Sequence, residues 1–193
     1  LSLHDALPIS EATALALADA LDVFVPTSRQ PMLNGQSSMD SGFTVKWPND
    51  IYFGDGKVAG ILIENDLLGS LVRSSIIGIG VNVNQRCFVS DAPNPCSLAD
   101  IVGQQVERRF VLERFMEQFT RRMKQLDDGR LDVLHEDYKA RLYRMGEKHK
   151  FADEMGVFCA TLVDVEPSGL LLLKDEEGAL RRYAFKEVRF LLK

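Results

Sequence analysis

The residues best suited to act on a ligand stand at the ends of three apolar runs, 51–53, 58–63 and 76–83. They are lysines, amides and a carboxylate: Lys46, Asn49, Asp50, Lys57 and Asn82. A lysine ammonium is a compact charge with three donors on a flexible stem, and an amide both donates and accepts hydrogen bonds. Such groups beside an apolar wall are typical of a binding cleft, so this stretch is the candidate site.

The apolar runs predict the strands that position these side chains. Residues 51–53 and 58–63 flank a glycine-bearing break at 54–56, a pattern that predicts a β-hairpin. Gly60 lies inside the second strand, where a missing side chain lets a ligand approach the backbone closely. In the third run apolar and amide side chains alternate, which predicts one apolar face and one amide face. The alternating positions are Val81, Asn82, Val83 and Asn84.

Three motifs in this stretch, in one order, carry a family resemblance. KWPND ends at Asp50, KVAGILIE starts seven residues later at Lys57, and GIGVNVN ends at Asn84. This arrangement resembles the catalytic core of the biotin protein ligases, which attach biotin to acetyl-CoA carboxylase. The match is close over residues 44–85 and looser from there to 193, where helices and a small β domain follow in the family's order.

The resemblance implies a two-step reaction. Such ligases use ATP to activate biotin as biotinyl-5′-AMP, then transfer the acyl group to a lysine of the biotin carboxyl carrier protein of acetyl-CoA carboxylase. Both reactants of the first step are anions, so a fixed positive charge between them offsets their repulsion and stabilises charge on the phosphoryl oxygens. By motif match Lys57 is that catalytic charge. Lys57, Gly60 and Ile61 are the expected biotin contacts.

The resemblance also implies a nucleotide end of the site. Lys46, Asn49 and Asp50 match the family's first cluster, which shapes that end and helps to hold Mg²⁺ through water, and Asn82 matches the amide that contacts ATP. Asn84 is a weaker candidate, and the magnesium ligands stay unassigned. A lone lysine at a strand start is usually a solvated turn residue, and only the flanking motifs favour a functional reading.

Composition limits the other classes of function. The 193 residues are 46% hydrophobic and 26% charged, as in an ordinary globular protein. A net charge of −5 without a basic run argues against a nucleic-acid partner, and no apolar run reaches the ~18 residues of a membrane span. The three cysteines lack CxxC spacing, which argues against a disulfide framework or zinc site and favours a reducing cytoplasm.

The whole pattern predicts an α/β protein of the α+β kind with two domains. Residues 1–143 are expected to form a catalytic domain in which helices pack on a mixed β-sheet, and residues 146–193 a small antiparallel β-barrel. In the family this C-terminal domain resembles the Src-homology-3 barrel. The helices are predicted at 11–25, 97–103, 106–128 and 131–143. The C-terminal strands are predicted at 157–165, 170–174, 179–185 and 188–192.

Two of these helices carry more detailed expectations. Ser10 is a candidate cap for the first helix. In the helix at 106–128, apolar residues at three- and four-residue steps, Leu112 and Met116 among them, predict a core stripe with Arg122 on the other side. This helix and the next are expected to cover the sheet. Residues 26–42, rich in turn formers, predict a surface loop.

The family carries one further segment, a glycine- and arginine-rich loop upstream of the first helix that closes over the adenylate. No such segment occurs in this sequence, so the chain is expected to be an N-terminally truncated member that keeps half a site. Two other functions stay open: a lipoate or octanoyl ligase or transferase of similar fold, and a non-catalytic module that binds biotin without turnover. A homodimer through the sheet edge is a possible assembly.

Overall fold

The computed structural model describes residues 6–25, 42–69, 71–89 and 94–192. Over these residues the chain forms four helices and two β-sheets. The helices are α1 (Ala6–Asp22), α2 (Leu98–Val102), α3 (Arg108–Asp127) and α4 (Leu131–Ala140). The strands are β1 (Thr44–Lys46), β2 (Asp50–Phe53), β3 (Gly56–Leu68), β4 (Leu71–Val81), β5 (Lys148–Asp153), β6 (Gly156–Val165), β7 (Leu171–Asp175), β8 (Leu180–Tyr183) and β9 (Arg189–Phe190). None of the helices described has the length and apolar character needed to traverse a bilayer. The predicted surface loop, apart from Gly42, lies outside the described residues.

The first sheet has the strand order β1-β2-β3-β4. The predicted hairpin is β2 and β3, joined by a turn in which Gly54 has a φ of +54°, a conformation that glycine adopts without steric cost. The register between these strands shifts between Ile51 and Tyr52. The α/β class is confirmed, whereas the strand pairs of this sheet are all antiparallel over the described residues rather than mixed.

Helix α1 occupies the centre of the molecule. It packs against α3 and α4 and also against β1, β2 and β3, so those two helices mainly cover α1 rather than the sheet. Its many alanines keep it narrow enough to be buried on almost every side. The prediction that Ser10 caps this helix was wrong, because the helix begins at Ala6. Pro8 in the first turn does not prevent this, since first-turn N–H groups have no intrahelical partner.

Helix α2 confirms its predicted bounds and cap. The Ser97 hydroxyl accepts a hydrogen bond from the Asp100 backbone N–H at 3.1 Å, and the Asp100 carboxylate accepts one from the Ser97 N–H at 3.1 Å. This reciprocal pair satisfies two N–H groups that the helix itself leaves unpaired. Gly103 ends the helix with a φ of +80°. A five-residue helix is thereby fixed at both ends.

The predicted core stripe of helix α3 is confirmed only in part, since Leu126 is buried. Leu112 and Met116 are exposed, whereas Arg122, predicted on the outer side, is buried. Arg122 donates to Asp19 of α1 at 2.7 Å and also to Asp137 of α4, so it lies where three helices meet. Periodicity within one helix does not locate this contact, because the acidic partners belong to other helices.

The second sheet is open, with the strand order β8-β7-β6-β5-β9. The four predicted strands are found as β6 to β9. Strand β5 was missed because Phe151 and Ala152 are its only apolar residues among KHKFAD, although both are buried. No pairing joins β8 to β9 within the part of the chain that the structure describes, so the predicted barrel is not confirmed.

The two sheets meet around the start of the first one. Trp47 is 5% exposed, and its indole N–H donates to the carbonyl of Gly169 at 3.1 Å. A single-residue bridge joins Val45 to Leu142, just before the second sheet begins. Buried residues of both sheets belong to one hydrophobic cluster. The C-terminal sheet therefore lies against the strands that carry the candidate site.

Candidate active site

Candidates from separate strands fall into one row across the first sheet. The register pairs Lys46 with Asp50, Asp50 with Gly60, and Gly60 with Gly80. Directly opposite residues of antiparallel strands project to the same side, so these four positions, here called the site row, share one face. The neighbouring row is apolar and faces the core. It consists of Val45, Ile51, Ala59 and Val81.

Lys57 reaches the site row from the start of β3. Its Nζ lies 2.6 Å from Oδ1 of Asp50, and each of these side chains is 23% exposed. Gly60 lies beside this ion pair, since a Cβ added to it would be 3.3 Å from the Asp50 oxygen and 3.5 Å from the Lys57 nitrogen. The lysine singled out by the motifs thus has its ammonium group next to glycine backbone, at a position that solvent reaches.

Lys46 lies at one end of the site row, against the C-terminal sheet. Its Nζ is 4.7 Å from the ring centre of Phe190. Burial lowers the pKa of Lys46; Asp50 opposes this shift, and the charges of Lys57 and Arg144 add to it. Several positive charges therefore act on this end of the row, which makes it favourable to an anion.

Two hydrogen bonds join Asn49, just before β2, to Ile61 of β3. The Ile61 backbone N–H donates to the Asn49 carbonyl at 3.0 Å, and the Asn49 side-chain amide donates to the Ile61 carbonyl. The Ile61 side chain is buried. Asn49 engages both the N–H and the carbonyl of Ile61, so these hydrogen bonds fix β3 next to Gly60 of the site row.

Residues 94–96, here called the anchor segment, hold the backbone of Lys57 from outside the sheet. The Lys57 N–H donates to the Asn94 carbonyl at 2.8 Å, and the Cys96 N–H donates to the Lys57 carbonyl at 2.9 Å. The side-chain amide of Asn82 approaches the same carbonyl at 3.4 Å, which brings Asn82 to Lys57. Sequence reasoning missed the anchor segment, because backbone hydrogen bonds leave no motif.

Asn84 has a structural role. Its Nδ2 donates to the Val106 carbonyl at 2.7 Å, and its Oδ1 accepts from the Val106 N–H at 2.9 Å. Strand β4 ends at Val81, so the predicted alternation of faces was wrong from Asn82 to Asn84, which lie beyond the strand. Asn84 instead fastens the segment before α3 to the chain that follows β4.

The donor set does not resemble a resident metal site. Among the described residues, no group of three or more histidine, cysteine, aspartate or glutamate side chains is placed to hold a metal ion. The site row contains one carboxylate, that of Asp50. Proteins usually bind Mg²⁺ through one or two carboxylates together with substrate phosphates. The site row offers one carboxylate to such an ion.

Comparison with known proteins decides the family. The sequence model of the biotin/lipoate A/B protein ligase family matches residues 8–82. The biotin–[acetyl-CoA-carboxylase] ligase of Paracoccus denitrificans is 30% identical over 182 residues, which are 90% of this chain and 69% of that protein. The chain belongs to the biotin protein ligase family. The motifs at Asp50 and Lys57 thus predicted the family correctly.

Other matches show how much of each relative's length this chain spans. The bifunctional ligase/repressor BirA of Bacillus subtilis is 29% identical over 145 residues, which are 72% of this chain and 44% of that protein. The chain thus spans less than half of that relative. The solved biotin protein ligase of Aquifex aeolicus in complex with biotin and ATP is 25% identical, with a TM-score of 0.70 over 96% of this chain and 72% of that one.

Proposed function

We propose that this member of the biotin protein ligase family uses ATP to form biotinyl-5′-AMP and passes the biotinyl group to a lysine of the biotin carboxyl carrier protein of acetyl-CoA carboxylase. The observation that carries the proposal is the Lys57–Asp50 pair beside Gly60. The names of two relatives support the chemistry: one is a ligase acting on acetyl-CoA carboxylase, and the other is solved with biotin and ATP bound.

Lys57 has the central role in this proposal. The biotin carboxylate attacks the α-phosphorus of ATP, an oxygen–phosphorus bond forms, and pyrophosphate leaves. Two like charges 4 Å apart repel by about 4 kcal/mol at an effective dielectric constant of about 20. An ammonium group between them adds two attractions that offset that repulsion, and it stabilises the charge that develops on the phosphoryl oxygens. Asp50 directs the Lys57 ammonium toward the site row, where this charge is needed.

The biotin end is proposed to lie along β3. Gly60 allows close approach because it has no side chain, and the Lys57 ammonium beside it takes the carboxylate. The N–H of Ile61 is already bonded to Asn49, so the proposed contribution of Ile61 is to keep β3 in place rather than to donate a hydrogen bond to biotin.

The nucleotide end is proposed to involve Lys46, Asn49, Asp50 and Asn82. Lys46 offers a partly buried positive charge, and Asn82 an amide close to the Lys57 backbone. Mg²⁺ is a companion of ATP in this proposal, and Asp50 offers a carboxylate toward its water shell.

The finer architecture is proposed on the family resemblance. Residues 1–143 form the catalytic domain, and residues 146–193 a C-terminal domain related to the Src-homology-3 barrel but open in strand order. This second domain supports the site by placing Phe190 against Lys46. A cytoplasmic location suits a reaction with ATP and a carboxylase, and a homodimer through the sheet edge stays a prediction.

Loss of the Lys57 charge is the direct test. The chain is incubated with biotin and MgATP, and pyrophosphate release and biotinyl-5′-AMP are measured. We expect Lys57→Ala to lower the rate at least about 100-fold, the usual effect of removing a preorganised transition-state donor. Lys124→Ala, on the exposed part of α3, is the matched control and should keep the rate. A normal adenylate yield from Lys57→Ala contradicts the assignment of Lys57.

Two alternative functions predict different experimental results. The matching family description includes lipoate ligases, so a lipoate or octanoyl enzyme is the second candidate. Calorimetric competition between biotin and lipoate distinguishes the two acids. A non-catalytic module would bind biotin but release no pyrophosphate from MgATP.

A further inference from the structure

Gly56, directly before Lys57, leaves a space that the anchor segment fills. A Cβ added to Gly56 would lie 2.5 Å from the sulfur of Cys96 and 3.2 Å from its Cβ. Gly56 does not belong to the glycines with positive φ, so its backbone conformation does not require glycine. The absence of a side chain at position 56 therefore serves the contact with Cys96 and not the turn.

The Cys96 side chain acts as a small packing group. It is partly buried, and burial, followed by the nearby Asp100 carboxylate, raises the pKa of its thiol to about 11. A neutral thiol of this kind behaves as a compact hydrophobic group. Its size matches the space above Gly56, where a larger side chain would push the anchor segment away from β3.

The chain after the anchor segment connects to the other end of the site. Leu98, the first residue of α2, donates its N–H to the Asn82 carbonyl at 2.8 Å, and Ala99 donates to the Val83 carbonyl at 2.8 Å. Helix α2 is fixed by its capping box, so residues 94–99 form one continuous support. This support contacts Lys57, proposed for the carboxylate of biotin, and Asn82, proposed for the nucleotide.

We propose that Cys96 is a positioning residue whose thiol, seated in the space above Gly56, fixes the anchor segment against β3 and so sets the Lys57 ammonium beside Asp50. The inference rests on the proposed role of Lys57. The proposed action of Cys96 is through the Lys57 backbone, whose carbonyl accepts the Cys96 N–H. Misplacement of a catalytic group by about 1 Å can lower a rate about 100-fold, so a small shift of the anchor segment is measurable.

A double-variant cycle tests this contact. The proteins are the unchanged chain, Gly56→Ala, Cys96→Gly and Gly56→Ala/Cys96→Gly, with Gly78→Ala as a control because an added Cβ there meets only the Leu62 carbonyl at 3.7 Å. Biotinyl-5′-AMP formation is measured together with hydrogen exchange of the Lys57 and Cys96 amides by NMR. Thermal midpoints show whether each variant is folded.

The contact predicts strong coupling between the two positions. Gly56→Ala should lower the adenylation rate at least about tenfold and speed exchange of both amides, because the alanine displaces the thiol. The double variant, in which Cys96→Gly removes both clashing atoms, should regain the rate and exchange of Cys96→Gly alone. Additive effects in folded proteins overturn the proposal, as does unchanged amide exchange in Gly56→Ala.

The two readouts separate this inference from the proposed function. If the unchanged chain forms no adenylate, the proposed function fails, and amide exchange alone decides whether Cys96 holds Lys57. If Gly56→Ala does not fold, Cys96→Gly decides, since it creates no clash: faster exchange of the Lys57 amide supports the positioning role, and unchanged exchange rejects it.

Discussion

At the scale of single residues, the carboxylate of Asp50 acts on two lysines. It lies 2.6 Å from the Lys57 ammonium, and it opposes the effect of burial on the pKa of Lys46. A carboxylate in this position allows two like charges to lie in one site. In the proposed function, the carboxylate of biotin competes with Asp50 for Lys57, so the position of this ion pair is expected to affect the affinity for biotin.

The Gly60→Ala variant tests how strongly biotin affinity depends on the position of the Lys57–Asp50 pair. The added methyl group meets the Asp50 carboxylate at 3.3 Å, tighter than most carbon contacts, so the pair must move by a few tenths of an ångström. We expect biotin to bind about tenfold more weakly, equivalent to about 1.4 kcal/mol, in isothermal titration calorimetry.

Its control is Gly78→Ala on the neighbouring strand, where the added Cβ meets one carbonyl at 3.7 Å. That variant should bind biotin normally. Equal biotin affinity of Gly60→Ala and the unchanged chain would show that the ligand does not approach Gly60.

The motifs were sufficient to predict that three of the candidate residues lie together. Asp50, Lys57 and Gly60 belong to one hairpin, so a correct hairpin brings them together. The hydrogen bond from the Asn49 side chain to the Ile61 carbonyl was not predictable, because a side-chain to backbone hydrogen bond leaves no residue spacing in the sequence that would reveal it.

At the scale of secondary-structure elements, Asp19 joins α3 and the end of α4 to α1. It accepts hydrogen bonds from Arg121 and Arg122 of α3 and from Arg141, the residue after α4. The Arg141 guanidinium also pairs with Asp22 at 2.6 Å. The helices are therefore fixed by a charged cluster as well as by apolar packing.

Asp19→Ala should destabilise the fold strongly. It leaves the buried Arg122 guanidinium with fewer partners, and removal of one partner from a buried ion pair costs about 3 kcal/mol. The free energy of unfolding in urea measures this effect. Glu113→Ala, which breaks an exposed pair with Arg109 at 3.0 Å, is the control and should change it by less than about 1 kcal/mol. Equal losses from both variants would contradict a structural role for the cluster.

Element prediction succeeded where local signals were strong and failed where partners were distant. The cap and end of α2 were predictable because Ser97, Asp100 and Gly103 lie within seven residues of chain. The burial of Arg122 on α3 was not predictable, because its acidic partners belong to α1 and α4.

At the scale of the whole molecule, a second polar contact near the site joins the first sheet to the segment that leads into the second sheet. Asp55, in the β2–β3 turn, accepts hydrogen bonds from the Tyr143 hydroxyl and, at 3.0 Å, from Arg144. Tyr143 and Arg144 lie in the segment between α4 and β5. The hydrogen bond from Tyr143, with support from Arg144, lowers the pKa of the Asp55 carboxyl against a smaller effect of burial.

Tyr143→Phe should raise the pKa of Asp55 toward its ordinary value, as measured by NMR titration of the carboxyl. A carboxyl group with a lowered folded pKa stabilises the fold above its ordinary pKa of about 4, and this stability is lost as the pH falls through the lower folded value. The variant should therefore be less stable than the unchanged chain at neutral pH, with the difference shrinking in acid.

Tyr138→Phe is the matched control, because the Tyr138 hydroxyl donates to the Pro48 carbonyl at 3.2 Å and not to Asp55. It should leave the Asp55 titration unchanged. If Tyr143→Phe also leaves it unchanged, the turn is not held by this hydrogen bond.

The contact of Trp47 with the C-terminal sheet has a practical consequence. Trp47 is the single tryptophan of the sequence, and its indole group is enclosed between Phe185 and the Gly169 carbonyl. Its fluorescence spectrum therefore reports on one place, the contact between the first sheet and the C-terminal part of the chain. During denaturation, a red shift of this spectrum that precedes the loss of helical circular dichroism would show that the C-terminal sheet separates from the first sheet before the helices unfold.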